Sequence, residues 1–135
     1  MAIMFNKTRI LVVDDEPNLS QLVKTMLEAT ERYDVREENR SRNALMTARG
    51  FRPHMILLDI DMPGKDGGEI ANEMQADPVL RKIPLVFLTA LLRKAEGGAS
   101  VETLAGRQYL AKPVDAETLV KCIENAVNRP EINLC

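Results

Sequence analysis

The sequence predicts an α/β domain, a doubly wound parallel sheet built from five βα units, (βα)5. Short apolar runs that are typical of buried strands alternate with stretches in which apolar residues recur at helical spacing. Each connection between successive runs is long enough for a crossover helix, which favours parallel strands with helices on both faces. The chain has 135 residues, of which 45% are hydrophobic and 28% charged, as expected for a single globular domain.

Five short runs are predicted to form the strands. The first and third are continuous apolar segments that end in acidic residues, which is typical of strands buried on both faces of a sheet. The second is weaker and is expected nearer an edge, and the fifth is short. In chain order the runs are Ile10–Val13, Tyr33–Arg36, Met55–Asp59, Leu85–Thr89 and Gln108–Ala111.

Helices are predicted to connect these strands. The first begins at Pro17 and has Leu22 and Leu27 on its apolar face. Ser41 is expected to cap the second helix and Gly50 to end it. The third is expected to turn residues such as Ile70 and Met74 inward.

The region after the fourth run has the weakest pattern. Gly97, Gly98 and Gly106 bracket only a few residues with helical spacing, so we expect a short fourth helix there. Asp115 is a good N-cap for the last helix. No repeat or linker interrupts the chain, which predicts one domain over residues 1–135, with a core at about 8–128 and a tail at 129–135.

Composition excludes several classes of function. The net charge of −2 argues against a protein that acts by binding nucleic acid. Cys122 and Cys135 lack the spacing of a zinc site and are too few for a disulfide framework. The N-terminal apolar run is too short for a signal peptide or a membrane span, so we expect a cytoplasmic protein that does not associate with membranes.

Polar residues stand where the predicted strands end. Asp14 and Asp15 follow the first strand, Asp59 ends the third, Thr89 ends the fourth and Lys112 follows the fifth. Ligands of open parallel sheets bind beyond these carboxyl ends. Clustered carboxylates repel one another unless a cation joins them, and oxygen ligands suit Mg²⁺. Because a carboxylate can accept a phosphoryl group and a lysine can pair with its oxygens, the residues predict phosphoryl transfer, with Asp59 as the best acceptor.

These residues lie in segments that resemble the signature blocks of two-component response-regulator receiver domains. The blocks are Val12–Pro17, Leu58–Gly64, Leu88–Ala90 and Lys112–Pro113. All four occur in order, and the resemblance extends from about residue 8 to residue 128. Among such regulators, the chain resembles the single-domain ones of the chemotaxis type. The resemblance implies a flavodoxin-like receiver fold with five parallel strands in the order 2-1-3-4-5.

The resemblance also implies roles for individual residues. Asp59 matches the phospho-accepting aspartate, and Asp14 and Asp15 match the acidic pair that binds Mg²⁺ together with it. The backbone carbonyl of Asp61 would complete the metal ligands that the protein provides. Lys112 matches the lysine that contacts the phosphoryl group. Such a domain is not an enzyme acting on a separate substrate; it catalyses only its own phosphorylation and dephosphorylation.

A switch and a set of partners are implied in the same way. Thr89 and Tyr109 match the pair in which the hydroxyl turns toward the phosphoryl group and the ring rotates inward. A sensor histidine kinase or phosphotransfer protein would be the donor, and a downstream protein would recognise the changed surface, with phosphorylation-dependent homodimerisation left open. The segment 105–108 departs from the usual family pattern before the switch aromatic, so the shape of the fourth helix is left open.

A second reading uses some of the same residues. An apolar strand followed by Asp59-Ile60-Asp61 also resembles the nucleophile motif of Mg²⁺-dependent phosphatases of the haloacid-dehalogenase type, which form an aspartyl phosphate. Those enzymes normally carry the motif on the first strand of a longer domain, whereas two βα units precede it here. Steady turnover of a phosphate ester would favour this alternative. An FMN-binding flavodoxin is disfavoured because the acidic first strand end would repel the FMN phosphate.

Overall fold

The computed structural model describes residues 7–89, 101–104, 107–112 and 114–127, with 101–104 described by their backbone alone. These ranges contain six strands and four α-helices, together with 3₁₀ turns at Ser41–Asn43 and Leu80–Lys82. In chain order the elements are β1 (Thr8–Val13), α1 (Pro17–Glu28), β2 (Tyr33–Glu38), α2 (Ala44–Phe51), β3 (Met55–Asp59), α3 (Gly67–Ala76), β4 (Leu85–Thr89), β5 (Val101–Leu104), β6 (Arg107–Ala111) and α4 (Ala116–Val127).

The strands form one sheet in the order β2-β1-β3-β4-β6-β5. The first five strands in this order run parallel to one another. With β6 counted as the fifth parallel strand, the predicted order 2-1-3-4-5 is confirmed. The register aligns Val12 with Leu57, and Leu57 with Val86. The carboxyl ends of β1, β3, β4 and β6 therefore meet at one edge of the sheet.

The sixth strand differs from the prediction of a five-stranded sheet. Val101–Leu104, which fall in the region predicted to hold a short fourth helix, pair antiparallel with β6 at the edge of the sheet. Without this pairing one side of β6 would present unpaired backbone groups, and the β-branched residues Val101 and Thr103 favour an extended conformation. The rest of that predicted helix, in residues 90–100, lies outside the described residues, as does the tail 129–135.

Two apolar layers cover the sheet, one on each face, as the sequence predicted. One layer packs α1 and α4 against the sheet through buried residues such as Val23, Leu27, Leu119 and Ile123. The other packs α2 and α3 through Ala44, Ala48, Ile70 and Met74. Because both faces are covered, every side chain of Ile10–Val13 and of Met55–Leu58 is fully buried.

Two details of the helices correct the sequence predictions. Leu22 is 49% exposed, because the buried face of α1 is centred on Ser20, Val23 and Leu27. Helix α2 begins after Ser41, continues past Gly50 and ends at Phe51, where Arg52 takes the left-handed conformation (φ 54°) expected of glycine.

The last helix follows its prediction. Asp115 caps α4, since its Oδ1 accepts a hydrogen bond from the backbone N–H of Thr118 at 2.7 Å. Cys122 is buried in this helix, and burial raises the pKa of its thiol to about 11. Among the described residues, no helix is long and apolar enough to cross a membrane.

Candidate functional site

The candidate site lies at the carboxyl edge of the sheet. Asp59 is the last residue of β3 and Thr89 the last of β4, and Asp14 and Lys112 directly follow β1 and β6. Backbone hydrogen bonds continue past the strand ends: the Asp14 N–H donates to Glu38 O at 3.1 Å, and the Lys112 N–H donates to Thr89 O at 2.9 Å. This pairing holds the polar side chains on a rigid backbone.

Three carboxylates converge at this edge. One oxygen from each of Asp14, Asp15 and Asp59 lies within 4.8 Å of the others. Asp14 is fully buried, Asp59 is 2% exposed, and Asp15 is more accessible. The Lys112 Nζ lies 3.2 Å from Asp14 Oδ2 and 3.2 Å from Asp59 Oδ1. A single ammonium among three carboxylates leaves an excess of negative charge.

Burial and the neighbouring charges shift the pKa values of Asp59 and Lys112. Burial and the charge of Asp14 raise the pKa of Asp59 to about 6, although Lys112 and a hydrogen bond from the Asp61 backbone oppose the shift. Burial by itself lowers the pKa of Lys112, but the charges of Asp14 and Asp59 outweigh burial, so its pKa is raised. Lys112 is therefore a fixed positive charge, and ionised Asp59 is destabilised by its surroundings.

Asp14 has a buried oxygen whose bonding is incomplete. Its Oδ1 accepts a hydrogen bond from the Glu16 N–H at 2.9 Å. Its buried Oδ2 forms an ion pair with the Lys112 ammonium at 3.2 Å but accepts no regular hydrogen bond from the described residues. An oxygen-only donor set with excess negative charge and one unsatisfied buried oxygen fits a hard divalent cation such as Mg²⁺.

The loop after β3 holds Asp59 in place. The Asp61 N–H donates to Asp59 Oδ1 at 3.3 Å, so the exposed Asp61 has its backbone beside the cluster. The Gly67 N–H donates to Ile60 O at 3.1 Å. A Cβ at Gly67 would lie 2.5 Å from Asp59 O and 2.7 Å from Ile60 Cα, so only glycine fits where α3 begins.

This role of Gly67 was not predicted from the sequence. A capping box surrounds it, in which the Glu69 N–H donates to Asp66 Oδ1 and the Asp66 N–H donates to Glu69 Oε1. The Asp-x-x-Glu spacing that produces the box is visible in the sequence and marks the start of the helix. The close approach of this start to the Asp59 backbone has no signal in the sequence.

The predicted switch residues lie on one face of neighbouring strands. Thr89 is 4% exposed, and Phe87, two residues earlier on β4, faces the same side of the sheet. The ring of Tyr109 on β6 stacks on Phe87, with 5.0 Å between ring centroids. The Arg107 guanidinium lies 5.6 Å from the centre of the Phe87 ring and donates to Asn72 Oδ1 at 2.8 Å.

The structure therefore brings together the acidic residues and the lysine predicted from the sequence. Tyr109 belongs to an aromatic group beside Thr89. Ala90 and Pro113, which complete two of the sequence motifs, lie outside the described residues. A parallel α/β sheet that gathers carboxylates, a lysine and a hydroxyl at its carboxyl edge is chemically suited to a phosphoryl group and a divalent cation.

Comparisons with known proteins agree with this class. The family model for the response regulator receiver domain matches residues 10–124. Protein PilH of Pseudomonas aeruginosa is 34% identical over 119 residues, which cover 88% of this chain and 96% of PilH. Response regulator PleD of Caulobacter vibrioides is 38% identical over 79% of this chain, but that match covers only 23% of PleD.

A solved structure extends the comparison to the site. The receiver domain of the sensor histidine kinase PA1611 from Pseudomonas aeruginosa superimposes with a TM-score of 0.75 and 26% identity, covering 91% of this chain and 99% of that one. In that structure a magnesium ion is coordinated in the active-site cleft.

The chain belongs to the response regulator receiver domain family. It is a regulatory, phospho-accepting domain of a two-component system. The haloacid-dehalogenase alternative is not favoured, because the family match covers the motif around Asp59 and because Asp59 ends the third strand of the fold, not the first.

Proposed function

We propose that Asp59 of this receiver domain accepts a phosphoryl group from a sensor histidine kinase or phosphotransfer protein, and that the chain then acts as a signalling switch. The observation that carries the proposal is the convergence of Asp14, Asp15 and Asp59, with Lys112 paired to Asp14 and Asp59. A buried carboxylate with a raised pKa next to a lysine is a costly arrangement for stability alone, and such arrangements concentrate at functional sites.

Mg²⁺ is the cofactor in this proposal. Asp14, Asp15 and Asp59 would hold it, with the backbone carbonyl of Asp61 as a further ligand. The unsatisfied Asp14 Oδ2 and the excess of negative charge support this assignment. When bound, the ion offsets the charge of the carboxylates and of the phosphoryl oxygens.

The residues of the chain then have separate tasks in phosphoryl transfer. The Asp59 carboxylate forms a P–O bond as the P–N bond to the donor histidine breaks, and the leaving nitrogen keeps the electron pair. Lys112, which already pairs with Asp59, is placed to pair with a phosphoryl oxygen. The hydroxyl of Thr89 donates a hydrogen bond to another oxygen of the phosphoryl group. The domain would catalyse only this reaction and the later hydrolysis of its own phosphate.

The signal would leave the site through Thr89 and Tyr109. Movement of the Thr89 hydroxyl toward the phosphate changes the surroundings of Phe87, on which the Tyr109 ring stacks. This local charge event would change the surface around Tyr109 on β6, which a downstream protein recognises. We propose a single receiver domain located in the cytoplasm. That it binds neither nucleic acid nor membranes stays a prediction, and dimerisation on phosphorylation stays open.

Labelling with acetyl phosphate tests the proposal. Purified wild-type chain, Asp59→Asn and Asp61→Asn are incubated with acetyl phosphate and Mg²⁺, and the intact masses are measured. We expect one phosphoryl group on the wild type and none on Asp59→Asn. Asp61→Asn is the matched control, since it removes an exposed carboxylate two residues away but keeps the backbone carbonyl. It should label like the wild type.

Two results would contradict the proposal. Equal labelling of Asp59→Asn would place the acceptor elsewhere. Continuous hydrolysis of p-nitrophenyl phosphate that is lost in Asp61→Asn would favour the phosphatase alternative, because that mechanism needs the Asp61 side chain.

A further inference from the structure

A second polar network lies behind the acidic pair, at the end of β2. It consists of Ser20 on α1, Glu37 on β2, and Asn39, which follows β2. Ser20 is fully buried, and Glu37 and Asn39 are partly buried. None of the three belongs to the phosphoryl site described above.

Hydrogen bonds link these side chains in one direction. The amide Nδ2 of Asn39 donates to Asp14 O at 2.7 Å and to Ser20 Oγ at 2.9 Å. The Ser20 hydroxyl in turn donates to Glu37 Oε1 at 2.6 Å, and the more distant Pro17 O, at 3.2 Å, is its second acceptor. The direction follows from the chemistry, because a carbonyl only accepts hydrogen bonds and both amide hydrogens of Asn39 are used. This hydrogen-bond network ends on the Glu37 carboxylate, and the negative charge there strengthens the hydrogen bonds made by Ser20 and Asn39.

The contact with Asp14 O acts on the metal-binding residues through the backbone. This carbonyl belongs to the peptide unit that joins Asp14 to Asp15, so its orientation fixes the direction in which both side chains leave the main chain. The β1 ladder ends at Val13, and the Asp14 N–H is held by Glu38 O. On the other side of Asp14, Asn39 holds the carbonyl group through a hydrogen bond.

We propose that Asn39, supported by Ser20 and Glu37, is a positioning residue for the Asp14–Asp15 pair. It does not touch the ion; it fixes the peptide unit that orients two of the ligands. The inference rests on the proposed function, because it assumes that Asp14 and Asp15 bind Mg²⁺. Groups that orient metal ligands from behind typically contribute about 10- to 100-fold to metal affinity.

The variants separate positioning from charge. Asn39→Ala removes both amide donors. Glu37→Ala removes the end of the network from a partly exposed position and so keeps the test available if Asn39→Ala folds poorly. Glu37→Gln removes the negative charge but keeps an oxygen that can accept from Ser20. Thr30→Ala is the matched control, because the Thr30 hydroxyl also donates to a carbonyl (Leu27 O, 2.7 Å) and accepts from a backbone N–H, at the far end of α1.

The experiment is a calorimetric Mg²⁺ titration of each variant, together with the backbone amide chemical shifts of Asp14 and Asp15 in metal-free protein. We expect Asn39→Ala and Glu37→Ala to bind Mg²⁺ about tenfold more weakly or worse, with displaced Asp14 and Asp15 amide signals before any metal is added. Glu37→Gln and Thr30→Ala should stay within about twofold of the wild type. The wild-type titration also tests the proposed function independently of the variants.

Three outcomes would overturn the inference. If Asn39→Ala and Glu37→Ala bind Mg²⁺ like the wild type, positioning is wrong while the proposed function stands. If Glu37→Gln weakens binding as much as Glu37→Ala, the charge of Glu37 acts and not its hydrogen bond. If the wild type itself does not bind Mg²⁺, the proposed function fails, and the positioning inference fails with it.

Discussion

The two ends of the sheet treat polar groups in opposite ways. At the carboxyl end, Asp59 is buried beside other carboxylates, and its pKa is raised to about 6. At the amino end, where α2 and α3 finish, Asp77 accepts hydrogen bonds from the Leu80 and Val79 N–H groups and from Arg49. The Leu80 N–H and then the Arg49 guanidinium are the largest causes that lower the pKa of Asp77 to about 2.

Other polar groups at the amino end are also paired. The Arg9 guanidinium donates to Phe51 O at 3.1 Å and to Arg52 O at 2.8 Å, and so satisfies carbonyls at the end of α2. The backbone N–H of Arg9 donates to Nδ1 of the His54 ring at 2.9 Å, while the backbone N–H of His54 donates to the backbone carbonyl of Arg9. The comparison indicates that the amino end is built for stability, whereas the carboxyl end retains unfavourable charge that a cation and a phosphoryl group can use.

The largest expected effect comes from filling the space beside Asp59. Gly67→Ala places a methyl group against the backbone of Asp59 and Ile60, which must shift. We expect a loss of about 1–3 kcal/mol in the free energy of unfolding and slower labelling by acetyl phosphate. Urea unfolding and timed mass measurements check both effects.

Gly50→Ala is the control for this substitution. Gly50 lies inside α2 with open space around its Cβ position, so alanine should increase stability by about 0.5–1 kcal/mol without changing the labelling rate. If Gly67→Ala behaves like Gly50→Ala, the close approach of α3 to Asp59 does not constrain the site.

The pH dependence of stability should have opposite signs at the two ends. The folded chain holds the Asp59 proton more tightly than the unfolded chain, so the contribution of Asp59 to stability is lost as the pH rises through about 6. In metal-free buffer, Asp59→Asn should therefore gain about 2–3 kcal/mol relative to the wild type as the pH rises from about 4 to about 8.

Asp77 gives the opposite profile. Because its folded pKa is lowered, its contribution is present above the unfolded pKa and is lost as the pH falls through about 2. Asp77→Asn should be less stable than the wild type at neutral pH, and the difference should shrink as the pH falls toward 2. Urea unfolding of both variants across this range checks the signs; parallel profiles would contradict the comparison.

The smallest expected effect concerns Arg9. Arg9→Met keeps an aliphatic chain but removes the donors to Phe51 O and Arg52 O. We expect a loss of about 1 kcal/mol in unfolding free energy, with Mg²⁺ affinity unchanged. A change in Mg²⁺ affinity would show that the two ends are coupled.

Much of the architecture was predictable from the sequence. The runs that became β1 and β3 are buried on both faces, and a parallel sheet brings their carboxyl ends together, so the meeting of Asp14 with Asp59 follows from the strand pattern. The order of the five parallel strands came from the family resemblance. The exposure of Leu22 on α1 could not be predicted, because helical spacing shows that a helix has an apolar face but does not fix which residues lie at its centre.

Other features depend on contacts that are distant in sequence. The edge strand β5 forms because β6 offers an unpaired side, which no local pattern reveals. The clash that requires glycine at position 67 is with backbone seven and eight residues earlier. Asn39 was not predicted because the second run was expected to end at Arg36, whereas β2 extends to Glu38 and places Asn39 directly after the strand.

The most direct test of the account is the effect of Mg²⁺ on the stability of the wild type and of Asp59→Asn at one neutral pH. Without metal, Asp59→Asn should be the more stable of the two by about 2–3 kcal/mol, because it removes a buried charge. At an Mg²⁺ concentration about 100 times the dissociation constant, the wild type should gain about 2.7 kcal/mol and Asp59→Asn should gain less, so the difference between them should shrink. If the difference is the same with and without Mg²⁺, or if Asp59→Asn is the less stable without it, the carboxyl edge is not a cation site held at the expense of stability.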